Sequence, residues 1–322
     1  MQPLAGLLVV DLTRYLPGAF ASRELLRLGA RVVRLEPPEG DPMRQVAPAW
    51  DAALNAGKES VACDLKAEPE LARALLARAD VALEGFRPGV AARLGVGPDD
   101  VPERVVYCSI TGFGTDGRHA LRAGHDLNYA GWAGMLADTA PSLPPLQPAD
   151  LAAGALAATV EVLAALLERE RTGLGARLTV SMTHGAHRLV SFRLGGDPLP
   201  RFLTGGLAAY AIYETGDGRH LTLGALEPKF FVRVCELVGA PELAERQLDP
   251  EAQPELAAAL AERFRERSLA QWLELFEQED VCVGPVATLA EAAREFGAPA
   301  ASSPSASIGE HTEAWRGQLG AG

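Results

Sequence analysis

The chain of 322 residues, with 48% apolar and 22% charged side chains, has the composition of a soluble globular protein of about two domains. Its net charge of −12 argues against nucleic acid as the main partner, because phosphate binding needs clustered Lys and Arg. That balance still allows a phosphorylated ligand in one local basic pocket.

In chain order, Gly6–Leu12 reads as a short strand, Pro17–Leu28 as a helix and Arg31–Glu36 as a second strand. Strand, helix and strand over about 30 residues form a βαβ unit and predict a parallel sheet. Val61–Leu65, Asp80–Glu84, Arg104–Ile110 and Arg177–Ser181 read as further strands, and Pro69–Ala79 as a helix. The alternation predicts an α/β fold with a Rossmann-like doubly wound parallel sheet. His125–Leu136 and Leu151–Glu168 read as buried helices of Ala, Gly and Leu. After Leu199 the pattern changes. Tyr210–Glu214 and Arg219–Gly224 flank a hairpin turn, and Pro228–Val238, Pro254–Arg267 and Leu269–Glu277 are helical. These segments predict a large domain over 1–195 and a smaller α+β domain over 205–280. Val281–Ala287 is expected to return as a strand, so that 281–322 completes the large domain. Ala298–Ser307 carries little to fix a fold.

Cys63, Cys108, Cys235 and Cys282 form no CxxC pair and adjoin apolar runs. They read as reduced, core-packed thiols of a cytoplasmic protein. Met1-Gln2-Pro3-Leu4 has no basic stretch before its apolar run, so no secretory signal is expected. No run approaches about 18 uninterrupted apolar residues, so no membrane span is expected.

Two segments carry acid/base chemistry. His125 follows Gly124 and precedes a helix whose first-turn N–H groups, including that of Asp126, lack intrahelical acceptors and suit a developing oxyanion. Neutral His is a good general base near neutral pH, although a hydrogen-bonded histidine at a helix start explains the position too. Asp150 fits either as the N-cap of its helix or as an ionised base or nucleophile beside a run of small residues. Glu227, between a strand and Pro228, fits either as an N-terminal helix charge or as a carboxylate orienting His125. Lys58, Lys66, Arg87 and Arg93 suit a phosphate-binding rim at the strand ends. No P-loop, GxGxxG after the first strand or GxSxG elbow is present. His184 and His187 lack companions at metal spacing and read as surface or packing residues, so no metal is expected.

Segments Gly6–Leu12, Leu28–Glu36, Gly57–Lys66, Phe86–Val90, Thr111–Gly114 and Ile308–Thr312 together resemble the family III CoA transferases. Ala123–Tyr129 and Gly224–Phe230 resemble the racemase branch of that family, which acts on α-methylacyl-CoA. The resemblance implies racemisation at C2 of a 2-methylacyl-CoA, with His125 and Asp150 as opposed bases and Glu227 supporting His125. In the transferase branch the residue matching Asp150 is instead a nucleophile forming an acyl anhydride. A non-catalytic acyl-CoA-binding protein is a third reading. Carried over by position, Lys66 and Arg93 approach the CoA nucleotide, while Leu16 and Cys63 neighbour the pocket. CoA is then the substrate's handle, with no other cofactor required, and an interlocked homodimer is implied. The chain departs from the family at Glu36, followed by Pro37-Pro38 where relatives often carry a basic residue. It also departs in its short segments from Ser191 to Gly205 and from Phe296 to Ser307.

Overall fold

The computed structural model describes residues 1–196, 201, 203–297 and 304–320. The chain divides into two units: Met1–Phe192 with Ala301–Gly322, and Arg193–Ala300.

The large unit begins with β1 (Leu8–Asp11), α1 (Tyr15–Arg27) and β2 (Arg31–Glu36). α2 (Met43–Val46) and α3 (Pro48–Asn55) lead to β3 (Glu59–Ala62). α4 (Pro69–Arg78), β4 (Val81–Glu84), α5 (Val90–Arg93) and β5 (Val106–Thr111) follow. After α6 (Asp126–Trp132), a π-helical segment, Ala149–Leu156, runs directly into α7 (Ala157–Thr172), then β6 (Arg177–Ser181) and α8 (Met182–Val190).

The six strands are all parallel, in the order β3-β2-β1-β4-β5-β6. Helices cover both faces, so alternate residues of a strand enter different cores. Val9, Val32, Val81, Leu83, Val106 and Cys108 face one core with α1 and α7. Val10, Val33, Ala82 and Tyr107 face the other with α4. Strand order reverses between β1 and β4, the position at which open α/β sheets bind ligands beyond the carboxyl ends of their strands.

The small unit holds an antiparallel sheet of β7 (Tyr210–Glu214), β8 (His220–Gly224) and β9 (Val283–Pro285). Its core gathers apolar residues of α9 (Pro228–Leu237), α10 (Gln253–Phe264) and α11 (Leu269–Phe276), with Phe231, Phe264 and Trp272 fully buried. The expected return strand at Val281–Ala287 is corrected here. β9 pairs with β8 through Leu223 and Val283, so this stretch completes the small sheet, and α12 (Leu289–Phe296) follows in the same unit. Residues 298–303, where the sequence predicts little fixed structure, lie outside the described residues, as do 197–200 and 202 of the shortened link.

The tail then docks on the open edge of β3. The Gly309 N–H donates to Ser60 Oγ at 2.8 Å, and the His311 N–H to the Ser60 carbonyl at 2.9 Å. The Ala62 N–H donates to Thr312 Oγ1 at 3.0 Å. α13 (Thr312–Leu319) seats Trp315 in the second core, where its indole donates to Glu59. The conspicuous Gly-Glu-His-Thr segment thus covers an edge strand that would otherwise expose its backbone.

One described helical stretch, Ala149–Thr172, is long and apolar enough to cross a membrane, a finding the sequence expectation did not anticipate because Glu161 interrupts the apolar run. Here its small residues Ala149, Ala153, Ala155, Ala158 and Val162 pack into the first core of the sheet. Cys63, Cys108 and Cys235 are buried, and burial pushes their thiols up to about 11, 12 and 12. Cys282 is half-buried and packs against the core of the small unit, beside the short edge strand β9.

Candidate active site

A cleft of about 540 Å³ opens beyond the carboxyl ends of β1, β4 and β5, all in the large unit. The β1–α1 loop contributes Thr13, Arg14 and Tyr15, the turn after β4 contributes Phe86 and Arg87, and β5 ends at Thr111 and Gly112. Arg122, His125, Asn128, Tyr129 and Asp150 add to its polar lining. The cleft therefore brings together Arg87, His125 and Asp150 of the residues marked in the sequence.

The β1–α1 loop rests on buried polar groups. Asp11 accepts from the N–H and hydroxyl of Thr13 and from Ser22 Oγ. Lys58 Nζ donates to the Ala19 carbonyl, Ser22 Oγ and Asn55 Oδ1. Lys58 is only 4% exposed, which corrects its assignment to a phosphate-binding rim: its ammonium is consumed inside the fold. Burial lowers its pKa to about 8. Tyr15 is the one non-glycine residue with positive φ among the described residues, at 67°, and its N–H donates to Asp41. Asp41 in turn faces Arg34 at 3.2 Å, within a buried network that includes Asp51. That anchoring holds a conformation L-residues rarely adopt, and it sets the Tyr15 ring edge-on to His125, centroids 6.3 Å apart.

His125 is the exposed N-cap of α6. Its N–H donates to Asn128 Oδ1 at 3.0 Å, which fixes the helix start. Asp126 opens the helix, so its N–H has no intrahelical acceptor, as the sequence predicts. Its buried carboxylate has a second role absent from the sequence reading: Oδ1 accepts the Asp150 N–H at 2.8 Å. Behind these residues Tyr129 donates its hydroxyl to the Gly124 carbonyl. A Cβ at Gly112 or Gly124 would come within 2.6 or 2.8 Å of the Tyr129 ring, so both positions admit only glycine in this packing.

Asp150 is not a helix N-cap. It lies in the first turn of the π-helical segment, with Pro148 at the cap position. Nor do free N–H groups hold it ionised: burial, reinforced by the Asp126 charge, raises its pKa to about 7. Local widening of a helix into π geometry recurs at functional sites.

A second cavity of about 320 Å³ lies beyond β1, β2 and β3, lined by Cys63 and Lys66 among others. Arg14 and Phe86 line both cavities. Leu16 and Arg93 line neither, although Leu94, next to Arg93, lines the second. Glu36, which Pro37-Pro38 follow, is held by Arg44 and Ser60. Glu227 is exposed in the small unit at the N-cap of α9, where its side chain makes no capping hydrogen bond. Arg14, Tyr15 and Arg122 of the cleft are not among the residues marked in the sequence. Their position just past strand ends, or beside His125, is the signal that marks them.

The model of CoA-transferase family III matches residues 4–302. Human alpha-methylacyl-CoA racemase is 35% identical over 309 residues, 89% of this chain and 78% of that protein. Mouse succinyl-CoA:glutarate CoA-transferase is 32% identical over 321 residues, 90% of this chain and 73% of that protein. The crystal structure of a CaiB/BaiF family protein from Brucella suis aligns with a TM-score of 0.84 at 28% identity, covering 98% of this chain and 99% of that one.

Proposed function

This chain belongs to CoA-transferase family III, whose members act on CoA thioesters, and we propose that it racemises C2 of a 2-methylacyl-CoA by two-base proton transfer. The observation that carries the reading is Asp150, held near a pKa of 7 in the same cleft as the exposed His125. An acid poised near neutral pH can both give and take a proton, and imidazole does the same.

His125 removes the α-proton from one enantiomer. Charge moves onto the thioester oxygen, which the Asp126 N–H stabilises as an enolate. Neutral Asp150 delivers a proton to the opposite face, and the roles reverse for the other enantiomer. Each positioned acid or base contributes about 10²–10⁴-fold, and an oxyanion donor about 10²–10³-fold. CoA enters as the substrate's handle, its nucleotide portion assigned to the second cavity with Lys66 and Cys63. Glu227 is assigned to the support of His125, and a homodimer to the assembly, on resemblance alone.

A second reading, CoA transfer through an Asp150 acyl anhydride, is favoured by the 32% identity to a CoA-transferase. It requires the carboxylate anion as nucleophile, whereas the raised pKa leaves a large neutral fraction at pH 7. The test incubates one enantiomer of a 2-methylacyl-CoA in D₂O. Loss of the α-proton signal and of optical purity without added acid is the expected result. A new acyl-CoA formed only when a free carboxylic acid is added would assign the chain to the transferases.

A further inference from the structure

The acyl side of the cleft carries more positive charge than proton transfer requires. Its charged lining comprises Arg14, Arg87 and Arg122 against a single carboxylate, Asp150, in a chain whose net charge is −12. None of the three guanidinium groups has a hydrogen bond or ion pair among the described residues. All three are exposed, whereas the nearby buried Arg34 is consumed by Asp51 and Asp41, and the half-buried Arg44 by Glu36.

The three differ in position. Arg14 lines both cavities, which suits a phosphate or pantetheine group passing between them. Arg122 lines only the cleft of His125 and Asp150, three residues before His125. Its guanidinium rests over the Trp132 ring, 5.1 Å from the centroid. Trp132 is half exposed, and a cation–π contact at such a site is weaker than a charge-assisted hydrogen bond to an anion.

Resting on the CoA-thioester reading above, we propose that Arg122, with Arg87, forms a carboxylate subsite beside the reacting carbon. A planar guanidinium takes a carboxylate through two parallel hydrogen bonds. The carboxylate is either the far end of the acyl group or a separate organic acid, and both present the same chemistry to Arg122.

The test measures affinity by calorimetry, independently of turnover. Its probes are free CoA, 2-methylbutanoyl-CoA and 2-methylsuccinyl-CoA, the last replacing a terminal methyl by a carboxylate. Wild-type protein binds the succinyl thioester about tenfold to a hundredfold more tightly than the butanoyl thioester if the acyl chain carries the anion. Free succinate strengthening the binding of 2-methylbutanoyl-CoA instead assigns the anion to a separate acid. In either case the preference shrinks in Arg122→Leu and partly survives in Arg122→Lys. Equal affinity for both thioesters with no effect of succinate overturns the subsite, as does a preference unchanged in Arg122→Leu. Failure of free CoA and both thioesters to bind overturns the CoA reading itself, and the subsite with it.

Discussion

The Asp150 N–H donates to the Asp126 carboxylate at 2.8 Å, so the acid that opens α6 holds the start of the helix carrying the second candidate base. The contact fixes the backbone of Asp150 while placing a like charge beside its side chain. Replacement of Asp126 by Asn keeps an acceptor but removes the charge. The Asp150 pKa should fall, and the Asp150 limb of the pH–rate profile should move to lower pH. A profile that does not move would separate the two acids electrostatically.

Asp150 also leaves a signature in stability. Its folded-state pKa of about 7 lies above the ordinary 3.8, so between these values the native state binds more protons than the unfolded state. Wild-type stability therefore falls as pH rises from about 4 to 7. Asp150→Asn lacks this slope and should gain in melting temperature relative to wild type across that window, with no further gain above it. Parallel melting curves at pH 5 and pH 8 would contradict the raised pKa.

Lys58 behaves with the opposite sign. Its native pKa of about 8 lies below the ordinary 10.5, so in that interval the unfolded state binds more protons and wild-type stability rises with pH. Lys58→Met leaves Asn55 Oδ1 without its Lys58 donor and the Ala19 carbonyl with Ser22 Oγ as its remaining side-chain donor, at a cost of about 1–3 kcal/mol. Denaturant titrations should find a destabilised variant whose deficit widens between pH 8 and pH 10. A variant as stable as wild type would mean that the buried ammonium contributes nothing to holding the loop at the cleft.

Gly112→Ala tests the packing behind His125. The added methyl meets the Tyr129 ring at 2.6 Å, and the ring is tethered through its hydroxyl to the Gly124 carbonyl. Overpacking of this kind costs about 1–3 kcal/mol. Because Gly124 precedes His125, activity should fall further than stability does, and kcat should fall more than KM rises. Unchanged kinetics would show that Tyr129 yields without moving the histidine.

The strands of the parallel sheet are legible because apolar runs such as Arg31–Glu36 and Arg104–Ile110 must fill two cores at once, which leaves a strong local signal. Strand partnership is less legible. Val281–Ala287 has the right residues for either sheet, and only the three-dimensional course of the chain pairs Val283 with Leu223. α8 and α13 escape notice because His184, Gly185 and Gly317 dilute their apolar periodicity. In the cleft, His125 and Asp150 stand out by residue type beside glycine and small-residue runs. Arg14 and Arg122 do not, since a charge beside a turn usually faces water. Lys58 misleads for the converse reason: nothing local shows that Asp11, Ser22 and Asn55 converge on it. The protonation of Asp150 depends on burial and on Asp126, 24 residues away in sequence.

The central claim, that His125 and Asp150 serve opposite faces of one carbon, is tested most directly by deuterium exchange of each pure enantiomer in two variants, His125→Ala and Asp150→Asn. The account predicts mirror-image asymmetry: each variant loses α-proton exchange by about 10²–10⁴-fold for the enantiomer its missing base deprotonates, and much less for the other. Equal losses for both enantiomers in both variants would contradict the two-base assignment.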